Sequence, residues 1–191
     1  MSAYIHDKTF DKNDFTQTPL PKGEYENCTF KNCNFSEGDL SEFLFSSCTF
    51  IRCNLSLVKL NKTSLQEVKF QDCKMLGLRF ETCNDFAISF SFENCMLDHT
   101  SFYKMKIKKT VFKDSQLHET DFTECDLTSS VFDNCDLKGT IFNYTNIEKA
   151  DLRTAYNYTL DPETNKIRKA KFSLPEVTGL LIKYDIEILN S

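Results

Sequence analysis

A large apolar residue recurs at every fifth position through most of this chain. The series begins at Tyr25 and runs Phe30, Phe35, Leu40, Phe45, Phe50, Leu55, Leu60, Leu65, Phe70, Met75 and Phe80. After a two-residue slip it resumes at Phe92 and continues through Leu97, Phe102, Ile107, Phe112, Leu117, Phe122, Leu127, Phe132, Leu137, Phe142, Ile147 and Leu152. With 40% of residues hydrophobic, chance would produce this on the order of once in 10¹⁰. A second column, two residues before each centre, holds mostly small side chains such as Cys28, Cys33, Cys48, Cys53, Thr63, Cys95, Thr120 and Ala150. Phe43, Leu78 and Met105 are its bulky exceptions. The residues between the two columns are predominantly polar. Neither period 3.6 nor period 2 is present, which excludes an amphipathic helix and an alternating strand.

A square coil satisfies this pattern. If each five-residue unit forms one side, four units close a turn of 20 residues, and turns stack at the strand spacing of about 4.8 Å. The alternation of Phe with aliphatic residues from Phe92 to Ile147 then becomes pure columns. Phe92, Phe112 and Phe132 share one wall, Phe102, Phe122 and Phe142 the opposite one, and aliphatics fill the other two. The expected fold is an all-β solenoid, a right-handed quadrilateral β-helix with a short C-terminal helix. Repeats from Tyr25 to Leu152 give a rod roughly 30 Å long.

The expected organisation is one domain in three parts: an N-terminal cap (1–22), the repeat β-helix (23–154), and a terminal segment (155–191). Lys8 and Asn13 stand where small inward residues belong, so the opening segment is expected to cap the rod, with Phe10 and Phe15 over the first coil. After a turn at Asp161-Pro162-Glu163-Thr164-Asn165 the pattern returns at Ile167 and Phe172. Ser173-Leu174-Pro175-Glu176 then reads as a capping box opening a helix, and Asp185 to Leu189 alternates as an edge strand would. Leu174, Val177, Leu180, Leu181 and Tyr184 would share one helix face, with Ile186 and Ile188 in the tail. This segment either caps the rod or forms a homodimer interface.

Segments such as Cys125-Asp126-Leu127-Thr128-Ser129 and Ala150-Asp151-Leu152-Arg153-Thr154 resemble the A(D/N)LXX unit of pentapeptide-repeat proteins. The match covers about two-thirds of the chain. The opening His6-Asp7-Lys8-Thr9-Phe10 with Asp14-Phe15, followed by repeats and a C-terminal helix with apolar tail, is similar to the quinolone-resistance (Qnr-like) subgroup. That resemblance implies dimerisation through the C-terminal helix and a DNA-mimicking acidic rod that binds DNA gyrase or topoisomerase IV. Many of that subgroup carry protruding loops needed for protection. Here the only interruption is the slip at Thr82 to Ser91, a bulge or very short loop.

Charge offers the one candidate functional feature. Net charge is −5, which disfavours direct nucleic-acid binding and favours a basic protein partner. Between Asp114 and Asp136 stand Asp114, Glu119, Asp121, Glu124, Asp126, Asp133 and Asp136 with no basic residue, immediately after a run of Lys104, Lys106, Lys108, Lys109 and Lys113. The seven acids read either as a partner-binding face or as solvated surface. Part of the cluster is repeat grammar, because Asp121, Asp126 and Asp136 precede a centre.

The rest of the inventory points away from catalysis. Nine cysteines lack zinc-knuckle spacing, and eight fall on the inward small column, where Cys packs as a small hydrophobe. His6, His99 and His118 are scattered, and no G-x-S-x-G or H-E-x-x-H occurs. A straight-walled rod offers no concave pocket. The expectation is a protein without enzymatic activity, metal or other cofactor, cytoplasmic for want of a signal or spanning segment. A structural or scaffolding module with an unrelated protein partner is the competing reading.

Overall fold

A computed structural model describes residues 3–189 as a parallel β-solenoid of about eight turns. Residues 20 apart pair in parallel, as in Thr29↔Thr49, Phe30↔Phe50 and Val111↔Val131. Four walls follow from that register. Wall 1 carries Phe10, Phe30, Phe50, Phe70, Phe92, Phe112 and Phe132 and forms a nine-stranded sheet. Wall 2 is built on Phe15, Phe35, Leu55, Met75, Leu97, Leu117 and Leu137. Wall 3 is built on Leu20, Leu40, Leu60, Phe80, Phe102, Phe122 and Phe142; isolated bridges join successive coils on both walls. Wall 4 begins as a four-stranded sheet over Ile5, Tyr25, Phe45 and Leu65 and continues through Ile107, Leu127 and Ile147.

The Phe columns form as the period requires. Phe112 stacks on Phe132 with ring centroids 4.9 Å apart and planes 5° from parallel, and both are fully buried. Between walls the rings meet edge to face, as in Phe102 against Phe112 at 6.0 Å and 84°. Offset stacking along a column and T-shaped contact across it are both favourable for the ring quadrupole. Small residues beside the centres give the backbone room to turn. Cys48 and Cys53 donate their thiol hydrogens to carbonyls of the coil below, at 3.2 and 3.4 Å to Tyr25 and Phe30. Thr145 does the same with its hydroxyl, at 2.8 Å to Phe122.

Corners explain the scarcity of glycine and proline. The second residue after most centres takes the left-handed conformation, as at Asn27, Asn32, Glu42, Arg52, Lys104, Glu124 and Asn134, with φ between 51° and 64°. For a non-glycine residue this costs roughly 1–2 kcal/mol. Each such corner keeps its N–H bonded to the next coil, for example Asn27 N–H to Ser46 O at 2.9 Å and Arg52 N–H to Gln71 O at 2.9 Å. The repeated ladder offsets the repeated strain.

At the N-terminal end, residues 3–22 run in register with the stack, and Ala3–His6 pairs with Gly23–Glu26. Phe10 lies on Phe30 at 4.9 Å and Phe15 on Phe35 at 4.6 Å. Lys8 and Asn13, which break the small column, are exposed on this first described coil, and the Lys8 ammonium sits 5.0 Å from the Phe10 ring centre.

The C-terminal segment departs from expectation. In place of an amphipathic α-helix there are two short 3₁₀ turns, Val177–Leu180 and Ile182–Tyr184, and Ser173 caps neither. Tertiary contact overrides the local signal, since a segment this short gains little from helix propagation. Gly179 is pressed against Tyr158, where an added Cβ would stand 2.1 Å from the Tyr158 carbonyl oxygen, and its own carbonyl accepts from Leu160 N–H at 3.1 Å. Lys183 reaches Asp161 and Glu163 at 2.6 and 2.7 Å. Asp185 is left-handed at φ 50°, and Ile186 to Leu189 pair with no strand among the described residues.

Candidate interaction surfaces

Side chains outside the rod occupy three positions per wall, and the 20-residue register decides which of them become neighbours. The seven acids predicted as a face do not share one wall. Asp133 lies on wall 1, Asp114 at the corner of walls 1 and 2, and Asp136 on wall 2. Glu119 is at the next corner, Asp121 on wall 3, Glu124 at the following corner and Asp126 on wall 4. They form a belt around the rod.

Three of these acids serve the fold. Asp121 Oδ1 accepts the backbone N–H of Thr123 at 2.8 Å, Asp126 Oδ1 that of Thr128 at 3.1 Å, and Asp136 Oδ1 that of Lys138 at 3.2 Å. The same local turn recurs at Asp39 and Asn54, which is why the position before a centre prefers Asp or Asn. Burial alone would push the Asp126 carboxyl up, but hydrogen bonds from Thr128 and contact with Lys108 hold it below the ordinary range. Asp136 is held low in the same way by Asn157, His118 and Lys138.

Stacking also joins the lysine run to the acidic run. Lys104 and Glu124, 20 residues apart, come within 3.5 Å, and Lys108 lies 3.2 Å from Asp126. His99 Nδ1 approaches Glu119 at 3.2 Å, and His118 Nε2 approaches Asp136 at 3.0 Å. Asp114 accepts from Asn134 at 2.7 Å and Asp133 from Thr154 at 2.9 Å. Exposed pairs of this kind are worth about 0–1 kcal/mol each. Their consequence is that blocks of opposite charge, separate along the chain, alternate from coil to coil in space.

The apolar residues of the C-terminal segment divide. Leu180 packs against the core, while Val177 and Leu181 are half-buried. Leu174 is 87% exposed, and Tyr184, Ile186 and Ile188 are exposed as well. Tyr184 is anchored through its hydroxyl to Glu163 at 2.9 Å.

Chemistry inside the rod is muted. Burial pushes the Cys33 and Cys48 thiols up to about 11 and that of Cys135 up to about 12, which leaves them unreactive as nucleophiles. Among the described residues no three or more His, Cys, Asp or Glu side chains are grouped to hold a metal ion, and no helix is long and apolar enough to cross a membrane. Sequence reasoning missed one outward feature. The slip places a bulge at Asn84 to Ser89 on wall 4, where Phe86 is 74% exposed. The slip itself was the signal, but periodicity cannot say which of the inserted residues turns outward.

Comparison with known proteins agrees with this geometry. A family model described as "Pentapeptide repeat region" matches residues 23–91 and 88–156. Among solved structures, full-length QnrB1, described as a plasmid-mediated fluoroquinolone resistance protein, superposes with a TM-score of 0.63 at 16% identity, covering 96% of this chain and 100% of that one. Two trypsin-treated variants of QnrB1 give TM-scores of 0.64 and 0.63 at 17% and 19% identity, covering 98% and 100% of this chain and the whole of each. No curated protein matches the sequence significantly. The 20-residue register, the columns of buried Phe and the repeat match along most of the chain place this protein in the pentapeptide-repeat family.

Proposed function

We propose that the chain is a cytoplasmic, non-enzymatic binding protein that mimics duplex DNA toward a type II topoisomerase, DNA gyrase or topoisomerase IV, and protects it from quinolones as a homodimer. The observation that carries this reading is the belt of carboxylates around all four walls of a straight rod, from Asp114 to Asp136. An enzyme groove that grips duplex DNA meets phosphate from several sides, and a belt imitates that better than a single acidic face. Support also comes from the match to QnrB1 over its whole length. The exposed Leu174, Ile186 and Ile188 of the C-terminal segment are the apolar surface that the second protomer would cover.

A supercoiling assay with purified gyrase tests the reading. Micromolar protein is expected to inhibit supercoiling or to relieve fluoroquinolone poisoning, and the triple change Asp114→Lys, Glu119→Lys, Glu124→Lys at exposed corners to abolish the effect. Absence of both effects for the unaltered chain rejects it. The second reading, a scaffold for an unrelated protein, is favoured by the pairing of Glu124 with Lys104 and Asp126 with Lys108, which dilutes the negative field. Its signature is capture of a partner that is not a topoisomerase, with gyrase activity untouched.

A further inference from the structure

Wall 4 is electrically divided. Its N-terminal coils present Asp7, Glu24, Glu26 and Glu67, while its C-terminal coils present Lys106, Lys109, Lys149, Lys166, Arg168 and Lys169. The six cations come from segments 60 residues apart in sequence, and none of them makes an ion pair among the described residues. Asp126 and Glu148 are the acids interleaved with them, and Asp126 is already engaged by Lys108. Successive rungs are about 4.8 Å apart, so the two poles are centred roughly 25 Å from each other, well beyond the screening length of about 8–10 Å. Each pole therefore acts as a local charge, not as part of the net −5.

The bulge stands where the sign changes. Asn84 donates to Ser64 Oγ at 3.1 Å and accepts from Phe86 N–H at 3.1 Å, while Ser89 Oγ accepts from Glu67 N–H at 2.8 Å, so the insertion is seated on this wall at mid-height. Phe86 projects from it at 74% exposure. Beside it opens a cleft of about 280 Å³ lined by Cys83, Ile88, Tyr103 and Met105 together with the charged Glu81, Asp85, Lys104 and Lys106. A protruding ring and a partly apolar cleft lie together between two opposite charges.

We propose that wall 4 is a self-association surface on which a second copy of this chain docks antiparallel, each Phe86 entering the other's cleft. A twofold axis lying in the interface at right angles to the rod brings the coil of Asp7 opposite that of Lys169 and the coil of Glu67 opposite that of Lys109. Glu24 and Glu26 then come near Lys149 and Lys166. The like-charged meetings are Glu26 with Glu148, Asp85 with its own copy beside the axis and, at the edge shared with wall 3, Lys62 with Lys104 and Glu42 with Glu124, the last two acids each already paired to a lysine of their own chain. A central aromatic anchor ringed by charge is the usual anatomy of a small interface. One wall offers roughly 400 Å² per copy, about half of what a stable complex buries, so the association is weak and sensitive to salt. It uses neither the C-terminal segment nor any topoisomerase and stands or falls apart from the reading above.

Sedimentation velocity on the full chain carrying Ile186→Asp and Ile188→Asp, which disable the C-terminal apolar surface, tests the proposal. The expected result is a reversible monomer–dimer equilibrium at low salt, weakened at least tenfold at about 0.5 M salt and at least tenfold by Phe86→Asp. Lys109→Glu with Lys169→Glu should prevent association, as should Asp7→Lys with Glu67→Lys. An equimolar mixture of those two variants should restore it, because at positions 7, 67, 109 and 169 one variant is then wholly acidic and the other wholly basic. A monomer under all conditions, a mixture that fails to associate, or indifference to Phe86→Asp overturns the proposal. Binding of a duplex oligonucleotide through Lys109 and Lys169 without self-association overturns it too, and assigns the basic pole to a polyanion.

Discussion

The residue that bears most stability is the wall-centred phenylalanine. Phe112 is sealed between Phe92 at 5.2 Å and Phe132 at 4.9 Å, with Phe102 and Phe122 edge-on to it. Because coils above and below are fixed by their own ladders, the space it leaves cannot collapse. Phe112→Ala is expected to cost about 3–5 kcal/mol, read as a lowered midpoint in denaturant unfolding. Phe10→Ala, at the half-buried open end, should cost clearly less. Both the identity of these residues and their inward direction were legible from the period of five. Their mutual stacking was legible too, once four units were taken to close a turn.

At the scale of the single coil, local turns and coil-to-coil contacts share the same side chains. Asp151 precedes its centre and accepts from its own-wall Arg153, through Nη2 at 2.7 Å and Nε at 2.9 Å, with Lys171 of the next coil 3.6 Å away. The Arg153 hydrogen bonds come first in holding this carboxyl at about 2 against an ordinary 3.8, burial opposes them, and Lys171 adds to them. The native state therefore binds this proton less readily than the unfolded chain. Its contribution is complete above about pH 4 and is lost as pH falls from about 4 to about 2. Unfolding followed across that window should show stability falling with pH, and Asp151→Asn should flatten this part of the slope. The Asp at this position was legible as repeat grammar, whereas its contact with Lys171 depended on the register held across the turn at Asp161 to Asn165.

For the whole molecule, the ends and the slip decide what the rod can meet. The C-terminal segment leaves Leu174, Ile186 and Ile188 exposed, apolar surface of the kind that a second protomer would cover. Ile186→Asp with Ile188→Asp should convert a dimer formed through this end to monomer by light scattering, at conditions of salt that silence wall 4. The sequence placed Leu174, Val177, Leu180, Leu181 and Tyr184 on one helix face with Ile186 and Ile188 in the tail; the segment forms 3₁₀ turns instead, because the contact of Gly179 with Tyr158 overrides the local capping pattern of Ser173 to Glu176. The predicted acidic face fared differently. Counting acids along the chain cannot distinguish a face from a belt, since consecutive repeats turn a corner every five residues.

Sequence alone determined the period, the inward columns, the four-wall coil and the location of the slip, because each depends on hydrophobic spacing that repeats too often to be local accident. Tertiary structure alone decided what lies beside what on the outside: Lys104 over Glu124, the belt of carboxylates, the divided wall and Phe86 at its middle. The physical reason is that burial imposes a constraint on every inward position, while outward positions are bound only by the register that stacking creates.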